Sequence, residues 1–158
     1  MNGGPCPLCA GSQIDARMGR VQVWEDALWR LTTSTGPGDP TPGFSYLEPK
    51  RHIPSIADLD GAEAETFGSA VAKCAQALKK ATGADAVYVY VFGADIDHLH
   101  VHLAPHRDGD ALNDAVLKGD FIEEPMPAGG IALVSTEYPP LPQETLRGVA
   151  DRIRQLLN

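Results

Sequence analysis

No stretch of this 158-residue chain is apolar for long enough to cross a bilayer, which takes about 20 residues. The N-terminus, Met1-Asn2-Gly3-Gly4-Pro5-Cys6, lacks the basic segment and apolar run of a secretory leader. Cysteine is scarce as well, with Cys6, Cys9 and Cys74 the full set. An odd count, with two of the three close in sequence, is not a disulfide framework, and it fits a chain held in a reducing cytoplasm. Cationic residues are few, 13 against 21 acidic ones, for a net charge of -8. Such a chain repels a phosphate backbone, so polymeric nucleic acid is excluded as a partner, and nothing marks a membrane-binding surface. A small anion is still admissible, because Lys50, Arg51 and His52 form a local basic cluster.

What is present is enough apolar material, 43% of residues, for one domain with a real core. Residues 1–13 read as a tight knuckle around Cys6-Pro7-Leu8-Cys9. Alternation predicts strands over 21–24 and 27–33, a Pro/Gly-rich loop over 34–43, and a strand over 44–48 stopped by Pro49. Ser55 and Asp58 have the spacing of a helix start. Phe67, Val71, Cys74 and Leu78 then fall on one helical face, which closes near Gly83. On that face Cys74 reads as a small buried apolar group. Residues 86–92, β-branched and aromatic throughout, read as a central strand covered on both faces. A second strand is predicted over 98–104, ended by Pro105. Residues 107–130 read as irregular, with a short helix at 111–118, and 131–134 as an edge strand. Leu146, Val149, Ile153 and Leu156 are spaced for an amphipathic C-terminal helix. The order β-β-β-α-β-β predicts an α+β domain with a mostly antiparallel five-stranded sheet, one long helix and a C-terminal helix.

The segment His98-Leu99-His100-Val101-His102-Leu103-Ala104 carries the chemistry. On a strand, the three imidazoles share one face at steps of about 6.6 Å, and Leu99, Val101 and Leu103 share the other. Packing gives no reason for such a row. It suits either metal chelation or a nucleophilic imidazole supported by its neighbours.

The alternation His-φ-His-φ-His-φ-φ, with φ apolar, resembles the signature of the histidine-triad (HIT) superfamily. Two further segments strengthen the likeness: Cys6-Pro7-Leu8-Cys9, similar to the metal-binding start of many bacterial HIT proteins, and Gly43 through Pro49-Lys50-Arg51-His52, similar to their strand and P-K-x-H turn. The resemblance covers residues 4 to about 107. It implies a HIT domain over 1–107 and a C-terminal extension over 108–158 that packs on it. It implies a nucleotide hydrolase or nucleotidyl transferase in which His100 attacks an α-phosphate and forms a nucleotidyl-histidine, with His102 contacting the phosphate and assisting the leaving group. His98, together with His106 and Arg107 just past Pro105, is a candidate to contact substrate. The resemblance also implies a structural zinc ion held by Cys6, Cys9, His52 and His98, and a homodimer paired through the helix and an edge strand. Alternatives are a nucleoside polyphosphate phosphorylase, a nucleotide-binding HIT protein with little catalysis, and an unrelated zinc hydrolase using all three triad histidines. One departure stands out. Where many HIT proteins carry Asn and an Ala-Gly-Gln stretch before the triad, this chain has Gly93-Ala94-Asp95-Ile96-Asp97, whose acids would repel phosphate.

Overall fold

A computed structural model of the protein describes residues 6–36, 41–93, 96–108, 110, 120–125, 129–136 and 140–158. Five strands form one sheet: β1 (Arg20–Glu25), β2 (Trp29–Ser34), β3 (Ser45–Pro49), β4 (Ala86–Tyr90) and β5 (Val101–His106). Their spatial order is β1-β2-β3-β5-β4, and every pairing is antiparallel. Three helices accompany them: α1 (Ser12–Asp15), α2 (Gly61–Thr82) and α3 (Gln143–Leu157). Strands β6 (Asp120–Pro125) and β7 (Ile131–Thr136) pair with each other as a separate two-stranded ribbon.

Side-chain alternation decides what each sheet face does. Trp29, Leu31, Leu47, Val101 and Leu103 are fully buried and pack in one cluster with Ala70, Cys74, Ala77 and Leu78 of α2 and Val149, Ala150 and Ile153 of α3. The helix-facing side of the sheet is therefore the core. Burial pushes the Cys74 thiol up to about 12, as expected of an inert apolar-site cysteine. The opposite side carries Arg30, Glu48, Phe44, Tyr46, Tyr90 and His102, and it is the face that builds the site.

Several sequence expectations need correction. The segment 86–92 was expected to be a central strand, but β4 is a sheet edge, with Val89 46% exposed. Its apolar residues are explained by helix packing on one face and by aromatic contacts on the other. The triad strand starts at Val101, not at His98, because Leu99 N–H is drawn out of register to the Ile53 carbonyl at 2.7 Å. Pro105 does not end it. β3 pairs with β5 no further than Leu103, so at Pro105 no neighbour on that side asks for an N–H. Ser55 caps a single 3-10 turn, Ile56–Asp58, and α2 begins after Asp60. Residues 131–134 join the ribbon, whose partner strand 120–125 the Gly/Pro/Asp density hid. In α3 Leu157 is buried and Leu156 is 39% exposed. The helix expected at 111–118 lies outside the described residues.

Candidate active site and metal cluster

Two groups of side chains meet at the start of β5. The first is Cys6, Cys9, His52 and His98, whose ligand atoms all lie within 4.8 Å of one another. Cys6 Sγ is 3.4 Å and Cys9 Sγ 3.5 Å from His98 Nδ1, and Cys9 Sγ is 3.4 Å from His52 Nδ1. A tetrahedral zinc ion would hold sulfur and nitrogen ligands about 3.6 Å apart, given Zn–S of about 2.3 Å and Zn–N of about 2.0–2.1 Å. The spacing fits. The tautomer fits too. His98 Nε2–H donates to the Pro49 carbonyl at 2.9 Å, which leaves the Nδ1 lone pair facing the sulfurs. Burial lowers the His98 pKa against the opposing Pro49 hydrogen bond, which favours the neutral ring that a metal ligand requires. Burial and the neighbouring Cys6 push the Cys9 thiol up, so a metal taken here displaces a proton.

The second group is His100 and His102, with ring centroids 5.2 Å apart and planes at 89°. His100 Nδ1 is 2.7 Å from the His98 carbonyl oxygen. A carbonyl only accepts, so the proton sits on Nδ1 and Nε2 keeps its lone pair. His102 is half-buried in an aromatic wall that the sequence did not announce. Tyr90 lies 4.9 Å, Tyr46 5.2 Å, Phe92 5.6 Å and Phe44 6.0 Å from its ring. Cross-strand register explains it, because Tyr46, His102 and Tyr90 are direct partners on β3, β5 and β4.

Other candidates fall elsewhere. His98 is 1% exposed, and both its ring nitrogens are engaged at the cluster and at Pro49, which seats it with the cysteines rather than on the open face. His106 and Arg107 follow β5 to its far end, about 13 Å from His102 at 3.3 Å per residue. There His106 stacks on Tyr88 at 5.0 Å and meets Asp110 at 2.9 Å, while Arg107 donates to the Thr82 carbonyl at 2.7 Å at the end of α2. The basic cluster is also engaged, with Lys50 on Glu25 at 3.0 Å and Arg51 on Asp60 and Glu63 at 2.5 and 3.0 Å. Asp97 is exposed, and Asp95 lies outside the described residues.

Sequence reading missed a buried ion quartet of Asp15, Arg20, Arg30 and Glu48. Arg20 bonds Asp15 at 3.0 Å and Glu48 at 2.5 Å, and Arg30 bonds Asp15. Beyond it a cleft of about 420 Å³ is lined by residues that include Leu8, Cys9, Gln22, Glu25, Arg30 and Lys50.

Comparison with known proteins agrees with this geometry. The HIT domain model matches residues 25–109. A HIT-like protein of Mycobacterium tuberculosis is 28% identical over 119 residues, covering 70% of this chain and 78% of that protein. Adenylylsulfatase HINT3 of Arabidopsis thaliana is 28% identical over 97 residues, 58% of this chain and 48% of that longer protein. Among solved structures, a histidine triad nucleotide-binding protein of Sulfolobus tokodaii superposes with a TM-score of 0.66 at 21% identity, covering 96% of this chain and 91% of that one. A Zn-bound histidine triad family protein of Mycobacterium smegmatis gives 0.60 at 18% identity, covering 96% and 94%. Both likenesses are of fold. The α+β architecture, the paired imidazoles at the head of β5 and the matched domain place the chain in the HIT family.

Proposed function

We propose that the protein is a nucleotide hydrolase or nucleotidyl transferase acting at an α-phosphate through His100. The observation that carries this reading is the 2.7 Å bond from His100 Nδ1–H to the His98 carbonyl, which fixes the tautomer that leaves Nε2 nucleophilic. In the first step the Nε2 lone pair forms a bond to phosphorus. The bond from phosphorus to the leaving group breaks with its electron pair, and His102 hands the leaving atom a proton. In the second step water attacks phosphorus and the N–P pair returns to Nε2. The water proton passes to His102, which restores the starting state. Another acceptor in place of water gives transfer.

Cys6, Cys9, His52 and His98 would hold a structural zinc ion, which when bound supplies a cross-link between the N-terminal knuckle, the turn after β3 and the head of β5. Among the described residues, His100 and His102 are not part of that set, which argues against a hydrolase using all three triad histidines as its metal site. The remaining assignments complete the reading: a cytoplasmic protein, a homodimer, a HIT domain over 1–107, and an extension over 108–158 whose α3 contributes to the domain's core.

Intact-mass analysis after brief exposure to adenylylated and guanylylated substrates tests this. A nucleotidyl adduct in wild type that is absent in His100→Ala is the expected result. Turnover that survives in His100→Ala would refute it.

A further inference from the structure

The two flanks of His100 differ. Across the outer sheet face, Glu25 pairs with Arg30, and Arg30 with Glu48. On the β3 side Glu48 follows Leu47, the partner of Val101, and on the β4 side Phe92 lies two residues past Tyr90, the partner of His102. Toward β3 and β2 lie the ion quartet and then the cleft of about 420 Å³. That cleft is within the size range, about 300–1,000 Å³, of sites that take small molecules. Toward the β4 edge lies Phe92, 67% exposed, with its ring 4.9 Å from Tyr90 and 5.6 Å from His102.

Arg30 and Lys50, each paired with a carboxylate, line the cleft. From Ala81 to His106 the chain has no lysine or arginine, and exposed Asp97 adds negative charge ahead of the triad. Arg107 is held at the end of α2. The nucleoside and the leaving group of a substrate diverge from phosphorus. If the nucleoside lies toward the cleft, the leaving group meets the Phe92 and Tyr90 rings. The segment 81–106, which carries β4 and the triad, offers a polyphosphate or sulfate no lysine or arginine, whereas an uncharged planar ring would find an edge or face to pack against.

Resting on the reading of His100 as nucleophile, we infer that Phe92, with Tyr90 behind it, is a leaving-group platform that selects nucleotide conjugates whose leaving group bears an aromatic ring. Phe92 acts on specificity and takes no proton.

The test compares two AMP phosphoramidates, one of 2-phenylethylamine and one of n-butylamine, as the ratio of their kcat/KM values in each protein. The ratio cancels effects common to both substrates. Phe92→Ala is expected to lower the aryl-to-alkyl ratio about three- to tenfold, the range of a lost aromatic contact. Phe92→Leu should lower it as well, and Phe92→Trp should retain it. Sedimentation velocity on the same samples reads the oligomeric state. An unchanged ratio in Phe92→Ala overturns the inference while leaving His100 untouched. So does an equal loss on both substrates with a shift in sedimentation, which would make Phe92 a subunit contact. Absence of any adenylyl adduct on wild type with either substrate overturns the nucleophile reading, and this inference with it.

Discussion

Removing metal from the Cys6–Cys9–His52–His98 cluster should lower stability by an amount the chain's connectivity sets. Cys6 and His98 are 92 residues apart, and Cys9 and His52 are 43 apart. A cross-link that closes loops of this size restricts the unfolded chain by about 4–5 kcal/mol. The same figure follows from mass action if free zinc stands about a thousandfold above its dissociation constant. For a domain of this length each kcal/mol moves the melting midpoint by about 2–4 °C, so the expected drop is about 8–20 °C. The assay is a calorimetric melt of protein with its metal content measured, before and after treatment with a chelator. Cys9→Ser and His52→Ala should melt like chelated wild type and ignore the chelator. Turnover should persist after chelation at temperatures where the protein is still folded, because the proposed nucleophile, His100 Nε2, is not in the ligand set. A protein carrying one equivalent of zinc whose midpoint stays put on its removal would refute the assignment.

Two further outcomes follow from particular side chains. Burial depresses the His98 pKa below its usual 6.5, so between the unfolded and folded values the unfolded state binds the extra proton. The metal-free protein should therefore lose stability as pH falls below about 6.5, and a His98→Asn variant melted across the same pH series should lose that slope. A slope unchanged in the variant would assign it to other groups. At Gly43, φ is +78° and an added Cβ would lie 2.7 Å from Thr82 Cγ2 and 3.3 Å from Pro105 Cγ. Gly43→Ala should cost about 2–5 kcal/mol in urea titration, combining left-handed backbone strain with overpacking. Adding Thr82→Ser, which deletes the offending methyl and keeps the hydroxyl bonded to Leu78 O, should recover about 1 kcal/mol or more of it. No recovery would mean that strain at Gly43 does not arise from that contact.

The strands of the five-stranded sheet and the helical face of α2 were legible because both depend on local alternation. What stayed hidden depends on register between distant strands. Nothing in the local alternation marks Arg20 or Arg30, yet α1 brings Asp15 onto them, and pairing with β3 sets Glu48 beside Arg30. The aromatic wall around His102 is likewise a register effect, since Phe44, Tyr46, Tyr90 and Phe92 come from two segments separated by α2. His106 and Arg107 looked close to the triad because they are close in sequence, but extended backbone carries them to the other end of β5. The metal-ligand set was named through family resemblance. Its spacing in the chain, two cysteines and then histidines 43 and 89 residues beyond Cys9, has no local periodicity to read.

The departure at the head of β5 is what joins the two groups. Had the strand run from His98, all three imidazoles would share one face, and the cluster and the nucleophile would compete for the same surface. Because pairing begins only at Val101, the backbone at 98–100 is free to turn. His98 swings its ring to the cysteines and presents its carbonyl to His100. One residue then serves both groups through different atoms. Its ring holds Nδ1 toward the sulfurs by donating Nε2–H to the Pro49 carbonyl, and its main-chain oxygen accepts the Nδ1–H hydrogen bond that sets the His100 tautomer. The cluster thus orients the residue whose carbonyl orients the nucleophile, with no ligand shared between them. On the reading of His100 as nucleophile, a Cys-x-x-Cys knuckle packed against the triad strand acts on the chemistry through backbone position.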